Sequence, residues 1–86
     1  PQIITVWMTV ESNHIDNVAN ALVDLHEVRF VAVSAGRYNI FADVYYGTHE
    51  ELLSFFDKLN QMPGVVTYES QVVLKLLKAE YKYTLS

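Results

Sequence analysis

Two stretches with helical spacing, each framed by runs of β-branched and aromatic residues, restrict this chain more than any other feature of its sequence. Residues 3–10 contain no breaker and predict a strand. Ser12 and Asn13 offer helix caps before Ile15, Val18, Ala19, Leu22 and Val23, whose spacing leaves Asp16, Asn20, Asp24 and Glu27 for solvent. A second strand is expected over 28–35 and a third over 40–46, joined by Gly36-Arg37-Tyr38-Asn39. A connection this short is a hairpin signal, and Gly36 can take a positive φ. Thr48-His49-Glu50-Glu51 reads as a capping box, with the Thr48 hydroxyl accepting from the N3 amide and Glu51 reaching back to the Thr48 amide. The helix that follows presents Leu52, Leu53, Phe55, Phe56 and Leu59 as its apolar face and stops at Met62-Pro63-Gly64. A fourth strand is expected over 65–77, and Tyr81, Tyr83 and Leu85 alternate in a tail that could add another. The order βαββαβ is that of an α+β, ferredoxin-like sandwich formed by one domain over residues 1–86.

In a two-layer domain the helices cover one sheet face, and the other face should turn polar. Here it does not. The third strand sets Ile40, Ala42 and Val44 against Phe41, Asp43 and Tyr45, and the first sets Val6, Met8 and Val10 against Ile3, Thr5 and Trp7. The fourth places Val66, Tyr68, Val72, Leu74 and Leu76 on one side, with Val65, Val73 and Leu77 on the other. An apolar face without helices needs a lid, and the economical lid is the same face of a second copy in a twofold dimer.

Composition narrows the chemistry. With 86 residues and no cysteine, disulfides, thiolate zinc sites and cysteine nucleophiles are excluded, and a reducing compartment such as the cytoplasm fits. The net charge is −4, and Arg29, Arg37, Lys58, Lys75, Lys78 and Lys82 never form a run, so this domain alone is a poor nucleic-acid binder. No apolar run approaches the length of a membrane span. The start at Pro1 without a methionine points to a processed chain or a piece of a longer one. His14, His26 and His49 lack metal-ligand spacing, and neither a metal nor a cofactor is expected.

The segment AGRYN, a strand, THEELLSFFDKLNQMPGV and the strand ending VVLKLLK follow one another in a recognisable order. In that order and spacing the chain resembles the C-terminal domain of the Lrp/AsnC regulators, the "regulation of amino-acid metabolism" domain, over nearly its whole length. The resemblance implies a dimeric α/β barrel type of assembly, with homodimers joining into tetramers or octamers. It also implies a small-molecule effector such as an amino acid bound near subunit interfaces. DNA would be held only by a separate N-terminal helix-turn-helix domain absent from these residues. Asn39 stands where the family's hairpin usually has aspartate, and Ser70 where threonine is frequent.

Candidate effector contacts follow from these readings. Gly36, Arg37, Tyr38 and Asn39 form a hairpin whose free amides and guanidinium could grip a carboxylate. A plain hairpin with a solvated arginine accounts for the same residues, and Asn39 can serve the turn itself. Ser70 interrupts the apolar side of the last strand, near Thr67 and Glu69, and either bonds a ligand or is satisfied across a dimer. Asp43, among aromatics, could meet a ligand ammonium or an ion-pair partner at a dimer edge. No nucleophile elbow, phosphate loop or framed carboxylate pair is present, and no catalytic residue is assigned. Two alternatives remain: a small dimeric α/β-barrel oxygenase or isomerase using Asp43 or His26 for proton transfer, and a structural dimerisation module without a ligand.

Overall fold

The structure, a computed structural model, describes residues 1–79. Its order is β1 (Gln2–Val10), a 3₁₀ turn (Ser12–His14), α1 (Ile15–Val23), β2 (Val28–Val33), β3 (Ile40–Tyr46), α2 (His49–Asn60) and β4 (Val65–Val73). The strands form one sheet in the order β2-β3-β1-β4, and each neighbouring pair is antiparallel. Each helix therefore carries the chain across an intervening strand, β3 for the first crossover and β1 for the second. This is the ferredoxin-like βαββαβ fold.

Alternation along the strands builds the core. Ile4, Val6, Met8 and Val10 of β1 and Ile40, Ala42 and Val44 of β3 face the helices, where Val18, Leu22, Phe55 and Leu59 meet them. Burying a side chain of this size contributes about 1.5–3 kcal/mol, so these few positions dominate the stability of so short a chain. α1 packs over β2 and β3, and α2 over β3. Phe56 of α2 reaches Tyr68 of β4, their rings stacked at 5.6 Å. Beyond that contact the helix side of β4 is largely bare.

Several expectations are corrected by tertiary geometry. Ser12 and Asn13 donate no cap; a 3₁₀ turn forms instead, closed by the His14 amide on the Glu11 carbonyl at 2.8 Å. The Glu51 amide does donate to Thr48 Oγ1 at 3.2 Å, but the Glu51 carboxylate accepts from the Gly47 amide at 3.1 Å, not from Thr48. Leu53 is 63% exposed, because α2 buries a stripe through Phe55 and Leu59 and does not tilt far enough over β4 to enclose its flank. β2 stops at Val33, two residues before the expected end. β4 stops at Val73, whose ladder partner Ile3 lies at the start of β1, so residues 74–77 have no paired strand. A register shift pairs Val65 with Val10 and Thr67 with Thr9, so Val65 packs on the core and Val66 is the extra, exposed residue. Tyr81, Tyr83 and Leu85 lie outside the described residues.

Glu27 was expected in solvent and is instead a tie between layers. Its side chain is 11% exposed, and Oε2 accepts from Lys58 Nζ of α2 at 2.9 Å. Its carbonyl receives the Tyr45 amide at 2.8 Å. Burial raises its pKa, but its own backbone amide, Lys58 and neighbouring His26 outweigh that and hold the carboxyl below the usual value.

Candidate functional site

The β2–β3 connection is built from local chemistry and then fastened to β1. Gly36 takes φ +139°, a conformation side chains disfavour, and open space surrounds the position a Cβ would occupy. The Ser34 hydroxyl donates to the Tyr38 carbonyl at 2.9 Å, and the Ser34 amide to the Asn39 carbonyl at 2.9 Å. From β1, the Thr9 hydroxyl donates to the Arg37 carbonyl at 2.6 Å.

Asn39 makes the main fastening. Its backbone amide donates to the Met8 carbonyl at 2.9 Å. Its side chain extends the ladder by one step: Oδ1 accepts from the Val10 amide at 2.9 Å, and Nδ2 donates to the Val10 carbonyl at 2.7 Å. The carboxamide thus acts as an extra strand residue at the end of β1. Aspartate could accept the first of these bonds but, when ionised, could not donate the second. Asn39 is committed to holding the hairpin, while Gly36 and Arg37 remain exposed.

Tyr38 leans from the hairpin toward β4. Hydrogen bonding to the Glu69 carboxylate is the first cause holding its hydroxyl above its usual pKa, burial adds to it, and the charge of Arg37 opposes it. The Arg37 guanidinium lies over the Tyr38 ring, 5.4 Å from its centroid. Asp43 sits mid-face on β3 and accepts from the Thr5 hydroxyl at 2.8 Å.

The registers define the sheet face that carries no helices. Phe30, Asp43, Thr5 and Gln71 form one row across the four strands, and Ala32, Phe41, Trp7 and Glu69 form the next. Tyr45, Ile3 and Val73 make a third row, where the Arg29 guanidinium lies over the Tyr45 ring at 5.3 Å from its centroid. Gly36, Arg37, Tyr38 and Asn39 border this face and Asp43 lies on it. Ser70, paired with Val6, points to the opposite, helix side of β4 and is exposed there. The six candidate residues therefore fall into a hairpin group, one residue on the adjoining face, and one behind the sheet.

From the sequence Arg29 counts only as one of six scattered basic residues, and Glu27 as a solvent-facing position. A lone cation inside an otherwise apolar strand was the available signal for Arg29; nothing local marked Glu27, whose partner is 31 residues away. The residues proposed for proton transfer are not enclosed: the His26 side chain is 94% exposed, and Asp43 lies on the open face. Among the described residues no three His, Asp or Glu side chains gather to hold a metal, and no helix is long and apolar enough to cross a membrane. A cleft of about 140 Å³ between α1 and the α2–β4 turn is lined by His14, Asn17, Val18, Ala21, Met62 and Pro63.

Comparison with known proteins converges on one family. The sequence model of the Lrp/AsnC ligand binding domain matches residues 3–83. An uncharacterized HTH-type transcriptional regulator of Pyrococcus furiosus is 29% identical over 80 residues, covering 92% of this chain. The chain spans only 54% of that curated relative's length. TTHA0845 from Thermus thermophilus superposes with a TM-score of 0.82 at 20% identity, covering 92% of this chain and all of that one. A Neisseria meningitidis transcriptional regulator solved as an L-Met complex gives 0.81 at 17% identity, over 91% of this chain and 53% of its own. The two structural likenesses establish the shared fold.

Proposed function

This chain belongs to the Lrp/AsnC ligand binding domain family, and from that premise we propose that it is the effector-sensing and self-association half of a transcription regulator of the cytoplasm. DNA would be gripped by a separate helix-turn-helix segment, in keeping with the curated relative, about half of whose length lies outside the match. The observation that carries the reading is the helix-free sheet face bearing Ile3, Trp7, Phe30, Phe41 and Tyr45, bordered by the Gly36–Asn39 hairpin. A second copy on that face would complete the burial of these half-buried side chains and bring the hairpin to a subunit boundary. Further contacts would join such dimers into tetramers or octamers.

The effector we propose is an amino acid or a related small metabolite. The L-Met complex of the Neisseria regulator supports this class. Gly36, Arg37 and Tyr38 would make the contacts: an unhindered amide, a guanidinium suited to a carboxylate, and a phenol. Asn39 would set their position through Val10. Asp43 would meet an ammonium if the ligand reaches under the hairpin, and Ser70 would act from the other side of β4 at a boundary between dimers.

A thermal-unfolding scan against amino acids and their 2-oxo acids tests the reading. A ligand at 100 times its dissociation constant adds about 2.7 kcal/mol. At about 4–8 °C per kcal/mol for a domain of this size, the midpoint should rise by roughly 10–20 °C. Gly36→Asp should remove the shift while leaving self-association intact. Loss of association in that variant would remove the hairpin from the effector site. A ligand consumed during the experiment would move the reading to an enzyme.

A further inference from the structure

Four charged side chains on or beside the open sheet face lie against neutral neighbours, and none has an ionic partner among the described residues. Asp43 is oriented by the Thr5 hydroxyl at 2.8 Å. Glu69 projects from the same face, opposite Trp7 in the ladder and beside Tyr38. Arg29 rests over the Tyr45 ring and Arg37 over the Tyr38 ring, at 5.3 and 5.4 Å. The ion pairs among the described residues lie elsewhere, and both belong to Glu27. The neighbours of Asp43 within the sheet are Thr5 on β1 and Phe30 on β2, with Gln71 beyond Thr5 on β4; none is a cation.

The charge inventory selects the occupant. These two carboxylates and two guanidiniums balance one another, whereas the chain carries −4 overall. Nucleic acid would call for a surplus of cations, and a basic peptide for a surplus of anions. A patch on which these charges of both signs balance among half-buried aromatics is complementary to itself. Stacking the planar guanidinium on a ring holds it oriented for a carboxylate, at a smaller entropy loss than a free arginine would suffer.

We propose that a second copy of this chain closes the face and supplies the missing counter-ions, Arg29 and Arg37 of each protomer neutralising Asp43 and Glu69 of the other. The inference rests on the self-association proposed above and adds which charges fix its register. Apolar contact alone tolerates sliding, whereas charged groups buried among aromatics penalise every register that leaves them unpaired. A twofold axis repeats each pairing, so each favourable contact and each penalty counts twice.

Sedimentation equilibrium of wild type and two charge-reversed chains decides the matter. D43K/E69K makes the face wholly cationic, and R29E/R37E makes it wholly anionic. Each alone should associate at least tenfold more weakly than wild type, and an equimolar mixture should recover a one-to-one heterodimer. Circular dichroism on each variant establishes that it is folded. The near-isosteric D43N/E69Q keeps an acceptor for the Thr5 hydroxyl and changes no volume, so it should fold while losing tenfold in association and most of its salt dependence. A wild-type dimer unmoved by all these variants overturns the charge seam and leaves self-association standing. Folded variants whose mixture stays monomeric overturn the seam as well. A wild type that is monomeric throughout overturns both.

Discussion

Gly64→Ala tests how the α2–β4 turn is locked to the start of α1. Gly64 has φ +94°, and a Cβ there would run into the Cβ and ring Cγ of His14, with Cδ2 at 2.9 Å. The Gly64 carbonyl is meanwhile fixed by the Glu11 amide at 2.8 Å, so the turn cannot swing away without losing that bond. Holding an L-residue in a left-handed conformation costs about 1–2 kcal/mol. Overpacking against a neighbour that cannot retreat adds about 1–3 kcal/mol. The sum, roughly 2–5 kcal/mol, is a large part of the ~5–15 kcal/mol that holds a domain folded. The thermal midpoint should fall by at least about 8 °C. Gly36→Ala supplies the internal control: its φ is +139°, but nothing lies within 4 Å of the added atom, so only the conformational part applies. His14→Ala would not relieve Gly64→Ala, because the closest atom is the His14 Cβ itself. His14→Gly should relieve it and reduce the cost to the conformational part. Urea denaturation of this double-mutant cycle yields the coupling directly. If Gly64→Ala costs no more than Gly36→Ala, or costs the same beside His14→Gly, the steric account is wrong.

Other outcomes are accessible with the same denaturation assay. Asn39→Ala removes both bonds to the Val10 main chain and should cost roughly 1–3 kcal/mol at about 0.5–1.5 each. Asn39→Asp should fall between, since at neutral pH it keeps the acceptor and loses the donor. Glu27 governs part of the acid response. Its folded pKa is lowered from an ordinary value near 4.5, so between the two values the unfolded chain binds the extra proton. Its contribution is therefore complete above that ordinary value and fades as pH falls through the folded value. The stability gap between wild type and Glu27→Gln should accordingly shrink on acidification from pH 6 to pH 3, and a gap that widens would reverse this assignment. Lys58→Met leaves a mostly buried carboxylate without its cation and should cost about 1–3 kcal/mol at neutral pH.

The features legible in the sequence are those whose cause lies within a few residues. Gly36 reads as a hairpin because backbone sterics are local, and Thr48 reads as a cap because its acceptor and the Glu51 amide are three residues apart. The core stripes of β1 and β3 read correctly because alternation is a property of a single strand. What failed depends on elements distant in the chain. The end of β4 is dictated by where β1 begins, and the choice of Val65 over Val66 by a register shift opposite Thr9 and Val10. Glu27, in the turn before β2, looks solvated until Lys58 of α2 reaches it. The hairpin was identifiable as a candidate site, but the use of Asn39 required knowing that Val10, 29 residues earlier, would stand beside it.

That last contact bears on how sensing and assembly could be coupled. The hairpin is joined to the end of β1 by Thr9 and Val10, the next residue Glu11 is joined to the α2–β4 turn at Gly64, and Tyr38 neighbours Glu69 at the edge of the open face. A ligand gripped by Arg37 would compete with the stacking that holds Arg37 over Tyr38, and so with the placement of two of the four charges on the face. Under the proposed pairing, effector binding and association then draw on the same side chains, and linkage requires each to alter the other by an equal factor. The sign follows from geometry. If the ligand takes Arg37 away from Glu69 of the opposite copy, binding weakens association; if it bridges the two, binding strengthens it. Measuring the dimer dissociation constant with and without the thermal-scan ligand, in wild type and in Arg37→Gln, separates these cases. Equal constants with and without ligand in wild type would show that the hairpin and the face act independently, whatever each binds.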